Sequence, residues 1–135
     1  MKFVFINLLL TVSVNILAQS RLSHDDSLLI GTWKGTSICQ VRPSPCNDEI
    51  SVCHITKANK PSTYHIVMNK VINEKEEDMA VNDYSFDAPS KTLSCWEDKY
   101  KITITLHVID NRMEGTLVYQ NKVYRIIKLS KADNK

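Results

Sequence analysis

From Ile30 onward the chain alternates apolar and polar side chains in short runs, each closed by a turn signal about a dozen residues after the last. Apolar–polar alternation is the period of a half-buried strand, because successive side chains point to opposite faces. The segment Ile102–Ile109 shows it best: Ile102, Ile104, Leu106 and Val108 share one face, and Thr103, Thr105 and His107 the other. The pattern predicts eight strands, Ile30–Val41, Glu49–Lys57, Thr63–Ile72, Met79–Phe86, Thr92–Trp96, Tyr100–Ile109, Met113–Tyr119 and Val123–Leu129. Between them lie Arg42-Pro43-Ser44-Pro45, Asn59-Lys60-Pro61, Asp87-Ala88-Pro89-Ser90, Glu97-Asp98-Lys99, Asp110-Asn111-Arg112 and Asn121-Lys122, the residue types that turns need. The Glu- and Lys-rich segment from Asn73 to Asp78 has no apolar stripe and is predicted as a charged loop.

Short connections make consecutive strands antiparallel neighbours. Eight such strands expose two edges unless the sheet closes on itself, so an all-β, eight-stranded antiparallel up-and-down barrel is predicted. A β-sandwich is the alternative architecture, but it usually requires a longer crossover than any present. By alternation the inward side chains are Trp33, Val52, Ile66, Met68, Tyr84, Leu93, Ile102, Ile104, Leu106, Leu117, Tyr119 and Ile127, with His54 on the Val52 face. Eight strands enclose a space just wide enough to be filled or to hold one small ligand.

The first twenty residues, MKFVFINLLLTVSVNILAQS, break the pattern. Lys2 precedes a mostly apolar run, and Ala18 and Ser20 offer small residues for cleavage, the layout of a secretory signal peptide. The predicted organisation is a signal peptide over 1–18, with cleavage after Ala18 or Ser20, then a flexible leader over 19–29, a barrel over 30–130 and a polar tail over 131–135. The expected location is secreted or periplasmic, with no membrane attachment after cleavage. The chain has 17 basic and 15 acidic residues, so its near-neutral balance gives no electrostatic case for nucleic acid.

All four cysteines, Cys39, Cys46, Cys53 and Cys95, follow the signal, and an even count in a small exported chain implies disulfides. Cys39 and Cys46 flank the proline corner, where a bridge would staple the first hairpin. Cys53 and Cys95 form the second candidate pair, although alternation places Cys53 outward and Cys95 inward, and two free thiols are the other outcome. No Cys-x-x-Cys occurs, which argues against a zinc site, and no metal or cofactor is expected.

Gly31-Thr32-Trp33 at the head of the first strand resembles the Gly-x-Trp signature of the calycin superfamily, which includes lipocalins, fatty-acid-binding proteins, avidins and small protease inhibitors. The longer run GTSICQVRPSPCNDE is similar to small exported bacterial proteins. The resemblance implies a lipocalin-like barrel closed at one end by Trp33, with Arg125 of the last strand packed across its ring. The open end then carries the bases Arg42, Lys75, Lys99 and Lys122 against the acids Asp48, Glu49, Glu74, Glu76, Glu77, Asp78, Glu97 and Asp98. An acidic rim disfavours anionic ligands.

Ser37, Met68, Tyr84 and Tyr119 are the predicted rim-pocket residues. The chain contains no Gly-rich phosphate loop, no serine elbow and no carboxylate pair that the pattern brings together, so an enzyme is not expected. The expected function is binding of a small apolar or weakly polar molecule by a monomer. The alternatives are a protein-binding module such as a protease inhibitor, using the leader Gln19–Ser27 as a free tail, and a structural envelope protein without a ligand.

Overall fold

The computed structural model describes residues 23–133; the predicted signal peptide, its cleavage point and the last two residues lie outside them. Eight strands follow one helix: α1 (His24–Leu29), β1 (Gly31–Cys39), β2 (Glu49–Lys57), β3 (Thr63–Ile72), β4 (Lys75–Asp87), β5 (Thr92–Glu97), β6 (Ile102–Ile109), β7 (Arg112–Tyr119) and β8 (Lys122–Lys131). They form a closed, wholly antiparallel barrel in sequence order. The closing pair is β1 with β8, in register from Trp33 opposite Lys131 to Cys39 opposite Arg125. Two stacked sheets are excluded, because strands one and eight are hydrogen-bonded neighbours.

Four sequence expectations are corrected. The charged segment after Ile72 is strand rather than loop. Only Asn73 and Glu74 turn, both at positive φ (50° and 64°), as a two-residue hairpin turn requires, and Lys75 already pairs with Ile72. The first strand ends at Cys39, two residues early. The last strand runs on to Lys131, inside the predicted tail.

Fourth, the leader is not wholly flexible: His24–Leu29 is helical. Ser23 caps it by accepting from the Asp26 N–H at 3.1 Å, and Leu29 is fully buried. A helix this short has little intrinsic stability, so its contacts with the barrel base must hold it. Trp33 Nε1 donates to the Leu29 carbonyl at 2.9 Å, and Tyr64 Oη donates to Asp26 Oδ1 at 2.7 Å. Lys57 Nζ lies 3.3 Å from the same carboxylate and 4.3 Å from the Tyr64 ring centroid.

That cluster makes stability acid-sensitive. The Tyr64 hydrogen bond, helped by Ser23 and Lys57 and opposed by burial, holds the Asp26 carboxyl below its usual value. A carboxyl depressed in the folded state stabilises the fold above its unfolded pKa, and this contribution is lost as pH falls through the folded one. Wild type should therefore lose stability below about pH 4, whereas Tyr64→Phe should flatten that limb of the curve. Urea midpoints measured from pH 6 to pH 2 check it.

Trp33 is fully buried at the base, and Arg125, which the resemblance placed across its ring, is not the cation over it. Lys131 Nζ lies 5.6 Å from the Trp33 ring centroid and donates to the carbonyls of Ser27 (2.7 Å) and Leu28 (3.0 Å) at the end of α1. Register decides this: Lys131 stands opposite Trp33, whereas Arg125 stands six residues up the strand, opposite Cys39.

Register also corrects β2. Trp33 pairs with Cys53, Gly35 with Ser51 and Ser37 with Glu49, so these β2 residues face inward. Val52 and His54 share the outer face with Ile50, which is 57% exposed. A slip of one residue exchanges the two faces of a strand.

One seam of the barrel is thin. β4 pairs with β3 from Ser85 opposite Thr63 to Lys75 opposite Ile72, but with β5 only at Ser85, Phe86 and Asp87. Ala80 stands opposite Met68 and Asp78 opposite Asn69, which leaves Met79 as the extra residue of a bulge. Above Ser85, the β5-facing side of β4 has no ladder partner.

Candidate functional site

The lower barrel is solid. Trp33, Tyr64, Ile66, Tyr84, Phe86, Leu93, Leu106, Val108, Met113 and Leu129 fill it. The space above is not filled. A cavity of about 320 Å³ lies under the open end, walled by Met68, Met79, Ala80, Val81, Ile102, Ile104, Leu117 and Ile127. Its polar lining is Ser37, Glu49, Asn82, Glu97, Tyr100 and Arg125. A second, wider depression of about 560 Å³ adjoins it, sharing Tyr100, Ile102, Leu117 and Arg125 and adding Lys99, Lys101, Tyr119 and Tyr124. A chamber of roughly 300 Å³ or more, mostly apolar with a few placed polar groups, is the usual form of a small-molecule site.

Arg125 is the polar centre of the chamber. It shares the inward face of β8 with Ile127 and Leu129, and its side chain is 14% exposed. Its Nη1 donates to Asn47 O at 3.0 Å, Ser37 Oγ at 3.2 Å and Ser37 O at 3.3 Å. Its Nη2 lies 3.4 Å from Glu49 Oε1. The guanidinium is thus fixed from three sides and its charge offset before any ligand arrives. The period-two pattern places Ile127 inward, and Arg125 two residues earlier follows by the same rule.

Of the four predicted rim residues, Ser37 and Met68 line the cavity. Tyr84 lies below it, 1% exposed, where burial first and then the nearby Cys95 and Cys53 push its phenol pKa up. Tyr119 borders the outer depression and stacks edge-on with Tyr124, ring centroids 6.1 Å apart. The predicted quartet therefore does not converge.

Cys39 and Cys46 are bridged, with Cα atoms 5.9 Å apart, and the predicted second pair is not: Cys53 and Cys95 are free and buried. Burial pushes the Cys53 thiol up to about 12 and raises that of Cys95, leaving both thiols poor nucleophiles. The bridge pins the long β1–β2 connection, where Asp48 accepts from the Cys39 N–H and from Arg42. Replacing both bridged cysteines by alanine should cost about 2–3 kcal/mol, the loop-closure value for so short a ring. Chemical denaturation of the double variant against wild type measures it.

His54 is outside the barrel. With its proton on Nε2 it donates to Glu76 Oε2 at 2.7 Å and accepts from Thr32 Oγ1 at 3.2 Å. Asn69 donates to the same Glu76 oxygen at 2.9 Å, and these two bonds, Asn69 first, hold the Glu76 carboxyl below its usual value. The chain Thr32–His54–Glu76 lies on the convex outer wall, so it ties β1, β2 and β4 together rather than facing the cavity. Among the described residues no three His, Cys, Asp or Glu side chains converge as a metal site. Nor is any helix there long and apolar enough to cross a membrane.

No protein-family model and no curated protein matches this chain. The closed eight-stranded antiparallel barrel, one short helix at its base and the Cys39–Cys46 bridge are compatible with a lipocalin-like fold. The bridge also fits an oxidising compartment, where disulfides persist.

Proposed function

We propose that this protein is an exported, calycin-like barrel that holds one small apolar molecule, neutral or cationic, beneath its open end. The cavity of about 320 Å³ carries the reading: eight apolar residues line it, and its fixed cation is already neutralised by Glu49. Arg125 can still orient a neutral hydrogen-bonding group through the rest of its donor fork. Glu97 in the wall and the acids of the β3–β4 hairpin leave the rim negative, which disfavours a carboxylate tail and favours an amine. Support for the calycin likeness is the buried Trp33 after Gly31, whose φ of 134° suits glycine. Export is the reading that joins the leading apolar segment to the disulfide.

A ten-carbon series tests the site: decanol, decylamine and decanoic acid, each displacing a neutral polarity-sensitive dye at low salt. The alcohol and the amine are expected to bind, and the acid at least tenfold more weakly. Ile104→Trp, which fills the chamber, should abolish all three. Unchanged binding by that variant rules the cavity out as the site, and tightest binding of decanoate overturns the charge argument.

A further inference from the structure

We propose that the unpaired upper edge of β4 receives an added strand: an extended segment of a partner protein in which basic side chains alternate with apolar ones. The opening is in the backbone. From Lys75 to Tyr84, β4 has β3 on one side and no ladder partner on the other, the longest such run in the barrel, and only the Asn82 side-chain amide reaches across to β5, at Glu97. Its outward N–H and C=O groups form a template for pairing, and natural folds usually cover such a template or blunt it with charge.

The edge is also apolar where it meets the cavity. Val81 and Met79 are 54% and 38% exposed, and Trp96 and Tyr100, each 58% exposed, lie beyond the gap. A strand laid here would point alternate side chains inward beside Ala80 and Asn82, which line the cavity, and the others outward beside Val81 and Asp83. That period demands apolar residues on its inner face.

Charge selects the occupant. β4 carries Glu76, Glu77, Asp78 and Asp83 along this run, and Glu97 and Asp98 stand across the gap. On the β3 side Glu76 and Asp83 have histidine partners, His54 at 2.7 Å and His65 at 2.8 Å, Glu77 lies 3.8 Å from Lys70, and Asp98 is 2.7 Å from Lys101; the six carboxylates still outnumber the four lysines of this border, Lys70, Lys75, Lys99 and Lys101. Two copies of β4 side by side would oppose acid with acid, which is destabilising across a ladder. A basic strand meets complementary charge. The acids thus act against self-pairing while leaving the edge open to a cationic partner, which would be recognised by strand addition to a sheet edge.

The probes are three blocked heptapeptides: alternating lysine and valine, alternating glutamate and valine, and the lysine peptide with every backbone amide N-methylated. The readouts are the dissociation constant at low salt and amide exchange in β4 by NMR. The lysine peptide is expected to bind and to slow exchange at alternate amides between Met79 and Asp83. Binding should be at least tenfold weaker for the glutamate and N-methylated peptides, and for the lysine peptide with the exposed-edge variant Glu77→Lys/Asp78→Lys. Three results overturn the proposal: no binding; equal affinity of methylated and unmethylated peptides; or protection of the same amides by dimerisation without peptide, which would make a second copy the occupant. The readout lies on the β4 backbone, so failure of the small-ligand reading leaves this test intact.

Discussion

Trp33→Ala lowers the stability of this barrel by about 3–5 kcal/mol, the range for removing a large aromatic from a filled core. Trp33 is fully buried, and its indole serves three elements at once. It packs in the core, supports α1 by donating to the Leu29 carbonyl, and lies beneath the Lys131 ammonium that ends β8. Its loss should therefore reach the β1–β8 closure and the helix together. Trp33→Phe separates the parts. It keeps most of the apolar burial but leaves the Leu29 carbonyl without its indole donor, and should cost about 1 kcal/mol for that bond plus a smaller packing loss. If Trp33 acts through the helix, crossing Trp33→Phe with Leu29→Ala gives less than the sum of the two single changes. Urea unfolding followed by far-ultraviolet circular dichroism measures the four variants against wild type.

Arg125→Met should destabilise by about 2–4 kcal/mol, largely through what it strands. Glu49, its side chain 20% exposed, loses its partner, and Ser37 Oγ and the Asn47 carbonyl lose a charged donor. Removing one member of a largely buried pair costs more than replacing both with apolar residues, because the survivor keeps its desolvation cost without its Coulomb partner. The double variant Arg125→Met/Glu49→Leu should accordingly be at least about 1 kcal/mol more stable than Arg125→Met alone. A double variant as unstable as the sum of its parts would show that each side chain is held by other contacts. The same pair serves the proposed ligand site: the double variant keeps the cavity walls but removes the fixed polar centre, so decanol should still bind while its advantage over decane disappears.

Much of the architecture was legible because it rests on local rules. Alternation in Ile102–Ile109 and short turns with Asn, Asp and Gly-compatible conformations dictate strands, neighbours and, by the edge argument, closure. Alternate turns fall at alternate ends, which sorted the turns into two sets, while the choice of the open end came from the Gly-x-Trp resemblance. What escaped depends on register across irregular connections. Ile50-Ser51-Val52-Cys53-His54-Ile55 offers apolar side chains at both parities, and the nine-residue scale corner before it transmits no phase. Only pairing with β1 settles that Cys53 faces in and His54 out. The cation over Trp33 escaped for the same reason, since Lys131 reaches it by standing opposite it in the ladder. The helix escaped because His24–Leu29 is too short to show a period and is stabilised by Tyr64, Lys57 and Lys131, all distant in sequence. In the site, alternation placed Met68, Ile102, Ile104, Leu117 and Ile127 but not Met79, Ala80 and Val81 beside the β4 bulge, and Arg125 was assigned by a family resemblance to the Trp33 ring.

The β1–β8 closure has a consequence for how the molecule can be held. Ala132 N–H donates to the Thr32 carbonyl at 2.8 Å, so the described chain enters and leaves the barrel at the same, plugged pole. A tether, tag or surface joined at either side of the barrel therefore grips it by its floor and turns the chamber outward. The two tethering points are interchangeable as far as access to the chamber is concerned.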